Sequence, residues 1–150
     1  MSKLNLILTA LLSLFIHGAV FAAEPFINDP RQTVEETERA FADTMAQRDF
    51  EKFKSFLAAE AVFFSGETAL RGKQQIADAW EAYFKEPQAP FSWEPKSVEV
   101  LESGTLAWST GPVYDSEGKV IATFNSVWQL DASHQWRIIF DKGNAACNCP

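Results

Sequence analysis

An α+β domain, helices first and an antiparallel sheet after them, is what the sequence predicts, and three observations predict it. Apolar residues recur at helical spacing in three stretches before Pro87. From Phe91 onward the period becomes two. The alternating runs are separated by short polar turns at Ser103-Gly104, Asp115-Ser116-Glu117-Gly118 and Asp131-Ala132-Ser133-His134. Consecutive strands joined by tight polar turns form an antiparallel meander. Helices set ahead of such a sheet pack on one of its faces.

The first element is a leader. Lys3 precedes an apolar run from Leu4 to Phe21, no Asp or Glu occurs before Glu24, and small residues follow at Ala19, Ala22 and Ala23. This is the pattern of a secretory signal peptide over residues 1–22, cleaved after Ala22 or Ala23, with a retained membrane anchor as the alternative reading of the same run. The expected location is therefore secreted or periplasmic, with no membrane attachment after cleavage. Residues 23–32 read as an N-terminal extension because Pro25 and Pro30 break a helix. One domain is expected over 33–143, and 144–150 form a tail carrying Cys147 and Cys149.

Thr33 and Glu36 have capping-box spacing, so a first helix is expected from Thr33 to about Arg48, with Val34, Phe41 and Met45 on one stripe. Asp49 is placed to cap a shorter helix whose Phe50, Phe53, Phe56 and Leu57 share a face. Ala61 to Phe64 is a short apolar strand closed by Ser65-Gly66, and Thr68 to Arg71 a second. Gly72 marks the entry to a third helix, to about Lys85, with Ile76, Trp80, Tyr83 and Phe84 on one side and Pro87 beyond its end. The alternating half then supplies strands around Val98 and Val100, from Leu106 to Tyr114, from Val120 to Leu130, and from Trp136 to Lys142.

Composition narrows the function classes. The chain has 13 basic and 20 acidic residues, a formal charge of −7, and the leader contains only one of the charged groups, Lys3. An acidic chain lacks the basic face that phosphate backbones require, so no nucleic-acid partner is expected. Thirteen Phe and five Trp suffice for an aromatic core without disulfide staples. An adjacent bridge between Cys147 and Cys149 would be strained. A bridge to another chain or thiol is easier, and soft-metal binding by the pair is the weaker alternative. No glycine-rich phosphate loop occurs, and His134 is the one His beyond the leader, so no cofactor is expected.

The order of Glu38-x-x-Phe41, Arg48-Asp49, Ala61-Val62-Phe63, Leu70-Arg71-Gly72-Lys73, Gly104-x-Leu106-Ala107-Trp108-x-x-Gly111, Val127-Trp128 and Trp136-Arg137-Ile138-Ile139-x-Asp141 resembles the nuclear-transport-factor-2-like superfamily, and within it the SnoaL-like (ketosteroid-isomerase-like) domains. The resemblance spans nearly all of 34–143. It implies a cone, a strongly bent sheet wrapped on three helices, with a pocket at the open end. It also implies homodimers through the outer sheet face. It does not imply one activity, which must be argued from the site.

The family's isomerases hold a carboxylate at the end of the first strand and a Tyr on the first helix. Here those places are Ser65, beside Phe64, and Phe41, so ketosteroid-isomerase chemistry is not expected. If the pocket exists, Phe41, Met45, Phe64, Trp80, Tyr83, Trp108, Phe124, Ser126 and Trp128 are the candidates to line it for a small apolar or aromatic ligand. Asp141 is the candidate general base of a cofactor-independent lyase, isomerase or hydrolase. Alternatively it is a strand-end carboxylate bonded to backbone amides, Arg71 or Arg137. A third reading is a homodimeric interaction module.

Overall fold

The structure, a computed structural model, describes residues 29–146. The expected leader, most of the extension, and Cys147 and Cys149 lie outside the described residues. Among the described residues three helices, α1 (Pro30–Gln47), α2 (Phe50–Phe56) and α3 (Gly72–Trp80), accompany eight strands. These are β1 (Leu57–Ser65), β2 (Thr68–Arg71), β3 (Phe91–Trp93), β4 (Ser97–Val100), β5 (Leu106–Asp115), β6 (Val120–Leu130), β7 (Trp136–Lys142) and β8 (Asn144–Ala145).

The strands form one strongly curved, unclosed sheet in the order β2-β1-β7-β6-β5-β3, with β4 added to β5 and β8 to β6. The fold is thus the expected α+β cone. One pairing departs from a purely antiparallel sheet: β1 runs parallel to β7. A parallel neighbour needs a long crossover, and everything from β2 to β6 lies between these two strands in the chain.

Helix α1 begins earlier than the capping box suggested. Asp29 is the cap, accepting from the Arg31 amide at 3.0 Å, and Pro30 occupies the first turn, where a missing N–H costs nothing. Thr33 instead returns its hydroxyl to the Asp29 carbonyl, and Glu36 is held by Gln32. Asp49 caps α2 as the sequence indicated, accepting from Lys52 at 2.8 Å. The third helix ends at Trp80 and tightens into a 3-10 turn, Glu81–Phe84. Short 3-10 turns are a common way for a helix to end.

Arg48 locks this corner. It adopts a left-handed conformation at φ 60°, uncommon for a side chain with a Cβ. Its guanidinium donates to the carbonyls of Met45, Tyr83 and Glu86. The end of α1 is thereby tied to the turn that carries Tyr83.

Val34, Phe41 and Met45 of α1 and Phe53 of α2 pack against Trp128 and Ile138 of the sheet, all essentially inaccessible. Phe41 stacks on Phe53 at 5.2 Å and meets Trp93 and Trp128 edge-on.

Candidate functional site

Strand pairing builds the site row by row. On β5 the inward residues are Ala107, Ser109 and Gly111; on β6 they are Phe124, Ser126 and Trp128. Ser109 pairs with Ser126, and Ser126 with Asp141, so three polar side chains stand in one row across β5, β6 and β7. Beyond them the row ends on Phe63 of β1.

Asp141 reaches this face through a bulge. Trp136 and Ile138 point inward, and simple alternation would turn Phe140 inward and Asp141 outward. The register of β7 against β6 slips between the Trp128–Ile138 and Val127–Phe140 pairs, leaving Ile139 as an extra residue. One inserted residue reverses the alternation beyond it. Phe140 is therefore 48% exposed on the outer face, and Asp141 lines the interior.

The interior is hollow at the open end of the cone. A cavity of about 210 Å³ is bounded by Phe41, Trp80, Tyr83, Phe91, Trp93 and Phe124, with Phe64, Ile121 and Ala122 toward the rim. Trp80 is fixed by stacking on Phe53 at 5.0 Å and by edge contacts with Phe63 and Tyr83. Asp141 is the one acidic or basic side chain of the lining besides the Tyr83 phenol; Ser65 adds a hydroxyl. Its Oδ2 accepts from Ser126 Oγ at 3.0 Å. Burial pushes its carboxyl up to about 7, the negative charge of Glu38 adds to the rise, and the Ser126 hydrogen bond opposes it. A carboxyl poised there exchanges protons readily near neutral pH.

Glu38 was not among the expected site residues. It lies on α1, fully buried, directly above the polar row. Trp93 Nε1 donates to its Oε1 at 2.9 Å; Trp128 Nε1 donates to Oε2 at 2.8 Å, as does Ser109 Oγ at 2.5 Å. Burial raises its pKa, and these donors, together with Ser126, work against the rise. Among the described residues no buried side-chain polar atom lacks a partner. A signal existed in the sequence: Glu38 stands four residues after Val34 and three before Phe41, on the apolar stripe of α1. An acid at such a position is buried, and a buried acid needs partners.

The expected lining residues divide into groups. Phe41, Phe64, Trp80, Tyr83 and Phe124 border the cavity, as does Ser65. Trp128 and Met45 do not: both are wholly buried behind it, Trp128 spending its indole on Glu38 and Met45 packing in the core beside Arg48. Ser126 is buried beneath the cavity and acts on Asp141. Trp108 is corrected outright. It has the opposite parity to Ser109 and is 39% exposed on the outer face. The alternative partners weighed for Asp141 are not used: Arg137 pairs with Asp131 at 3.0 Å, and the bond to Asp141 comes from Ser126. Among the described residues no group of three or more His, Cys, Asp or Glu side chains is placed to hold a metal ion.

Comparison with known structures places this geometry in a large group. An NTF2-like protein of unknown function from Pseudomonas putida KT2440 superposes with a TM-score of 0.65 at 16% identity, covering 79% of this chain and 87% of that one. A ketosteroid isomerase-like protein from Erwinia carotovora atroseptica does so at 0.61 and 17%, covering 80% and 98%. An NTF2-like superfamily protein from Salmonella enterica serovar Typhimurium does so at 0.59 and 14%, covering 81% and 94%. At these identities the likeness concerns the fold. No curated protein matches the sequence. The model of the SnoaL-like domain, in contrast, matches residues 34–142, from the first buried residue of α1 to the end of β7, and the chain belongs to the SnoaL-like domain family.

Proposed function

We propose that this chain binds a small, flat, largely apolar molecule in the cavity, with Asp141 as its polar contact. The observation that carries the reading is the contrast within the lining: aromatic walls on several sides and one carboxyl group among them. Apolar walls supply affinity by removing surface from water, and one placed polar group supplies orientation. A cavity of about 210 Å³ fits one or two fused rings. Native mass spectrometry and thermal shift against a panel including 2-naphthol and 2-acetylnaphthalene test it. A specific adduct, weakened by Trp80→Ala, supports the proposal; no adduct or shift with any flat apolar compound refutes it.

A second reading has its own observation. A carboxyl with a pKa of about 7 inside a cavity suits general acid–base catalysis without a cofactor. Asp141 would take a proton from carbon beside a carbonyl and return it elsewhere, as a lyase or isomerase does. Deuterium uptake by enolisable aryl ketones in heavy water, present in the native chain and lost in Asp141→Asn, would support this. Equal uptake by both would refute it.

Two further elements belong to the proposal. Secretion or periplasmic export is supported by the leader pattern, and N-terminal sequencing of exported chain should begin at Ala23 or Glu24. Self-association through the sheet is supported by the cross-strand row Trp108, Val127 and Phe140, the first and last of which are exposed on the outer face.

A further inference from the structure

Glu38 does not border the cavity, yet it shares its environment with the group that does. Ser126 lies between them: its hydroxyl donates to Asp141 Oδ2 at 3.0 Å, and its side chain is among those that oppose the rise of the Glu38 pKa. Two carboxylates so placed cannot both ionise cheaply. Among the described residues neither carries an ion pair, so the pair itself must decide where one proton stays.

The donor inventory decides it. Indole N–H groups only donate, so Trp93 and Trp128 fix Oε1 and Oε2 of Glu38 as acceptors, and Ser109 adds a third donor. Asp141 receives one donor, Ser126. Hydrogen bonds to a carboxylate favour its charged form, so the negative charge belongs on Glu38 and the proton on Asp141. Ser126 occupies Oδ2, and Oδ1 is the oxygen without a side-chain partner among the described residues, free to donate to a ligand.

We propose that Glu38 and Ser126 are positioning residues that present Asp141 to the cavity as a neutral hydrogen-bond donor at Oδ1, and that the ligand class is therefore a flat apolar compound bearing a carbonyl or similar acceptor oxygen. The proposal rests on the reading of the cavity as a binding site, which it deepens. The Glu38 charge is among the causes that hold Asp141 high, in keeping with Glu38 ionising first. The other groups facing Asp141 do not reverse this. From β1 and β6 come Phe63, Phe64 and Ser126, none of which titrates in this range. The Tyr83 phenol shares the cavity, and the Lys142 ammonium stands over the Phe64 ring at 5.5 Å.

The test uses the intact chain. Carbon-13 NMR of labelled Asp carboxyls should give Asp141 a midpoint near 7, while the Trp93 and Trp128 indole N–H resonances, which report on Glu38, complete their main change at lower pH. Glu38→Gln should lower the Asp141 midpoint by about one pH unit or more, the range for loss of a neighbouring like charge. 2-Acetylnaphthalene, whose ketone only accepts, should bind at least about tenfold more weakly at pH 8.5 than at pH 6, since each pH unit above the midpoint costs a factor of ten in the neutral form. Asp141→Asn, which keeps a donor, should remove that dependence.

Indoles that follow the upper step while Asp141 titrates low would overturn the assignment even if Glu38→Gln does not fold. An Asp141 midpoint unmoved in a folded Glu38→Gln variant would do the same. Failure of the ketone to bind at any pH, with the titrations as expected, overturns the cavity reading and leaves the Glu38 assignment standing.

Discussion

Replacing Asp141 by Asn should make the protein's stability nearly independent of pH above about 6, where that of the native chain declines. The carboxyl of Asp141 is pushed from an ordinary 3.8 to about 7, first by burial and then by the charge of Glu38. The folded state therefore holds a proton that the unfolded chain releases. With more protons bound in the folded form, stability is full below about pH 4 and is lost as pH rises through 7. A difference of about three pH units at 1.36 kcal/mol each amounts to about 4 kcal/mol, an upper bound because the side chain is only partly buried. Linkage places about 2–3 kcal/mol of that between pH 5 and pH 8. Urea denaturation at pH 5, 6, 7 and 8 measures it directly. The Asn variant should gain on the native chain by that amount across the series. A native chain whose stability is flat from pH 5 to 8, or a variant that follows it in parallel, would refute the reasoning that burial holds Asp141 neutral.

Other expectations follow from contacts already described. At Gly111 a Cβ would stand 1.9 Å from the Glu94 carbonyl and 2.9 Å from the Phe124 ring. Gly111→Ala should therefore cost more than about 3 kcal/mol or prevent folding, read by the urea midpoint; a loss below about 1 kcal/mol would contradict the packing. Trp93→Phe removes one of the Glu38 donors while keeping a ring, so it should cost about 1–3 kcal/mol and delay Glu38 ionisation to higher pH, visible in the Trp128 indole resonance. Trp108→Ser with Phe140→Ser should halve the mass seen by light scattering if the outer face joins two copies. An unchanged mass would remove that proposal.

How much of this was legible beforehand differs from residue to residue. Helix stripes and strand alternation located almost every element, because burial of one face leaves a period in the sequence. The start of α1 was misplaced because Asp29-Pro30 and Thr33-x-x-Glu36 are both sound start signals, and local sequence does not rank them. The inward face of β7 could not be followed to its end, because the extra residue at Ile139 leaves no compositional mark. Trp108 misled for a related reason: an exposed Trp on a sheet face and an inward Trp read alike until parity is anchored to a helix. Glu38 was readable as an acid on an apolar stripe, whereas its three donors come from positions 55, 71 and 90 residues further along the chain.

The bulge on β7 has a consequence for how such a site is gained or lost. Straightening the bulge, so that Ile139 rather than Phe140 sat opposite Val127, would bring the Phe140 ring into the hollow and turn the carboxyl out to water. A polar-bottomed chamber and an oily, sealed one thus differ by one step of strand register. Relatives with the same residues in the same order but no bulge here would keep the fold and exchange the chemistry, a change that comparison of residue types alone would overlook.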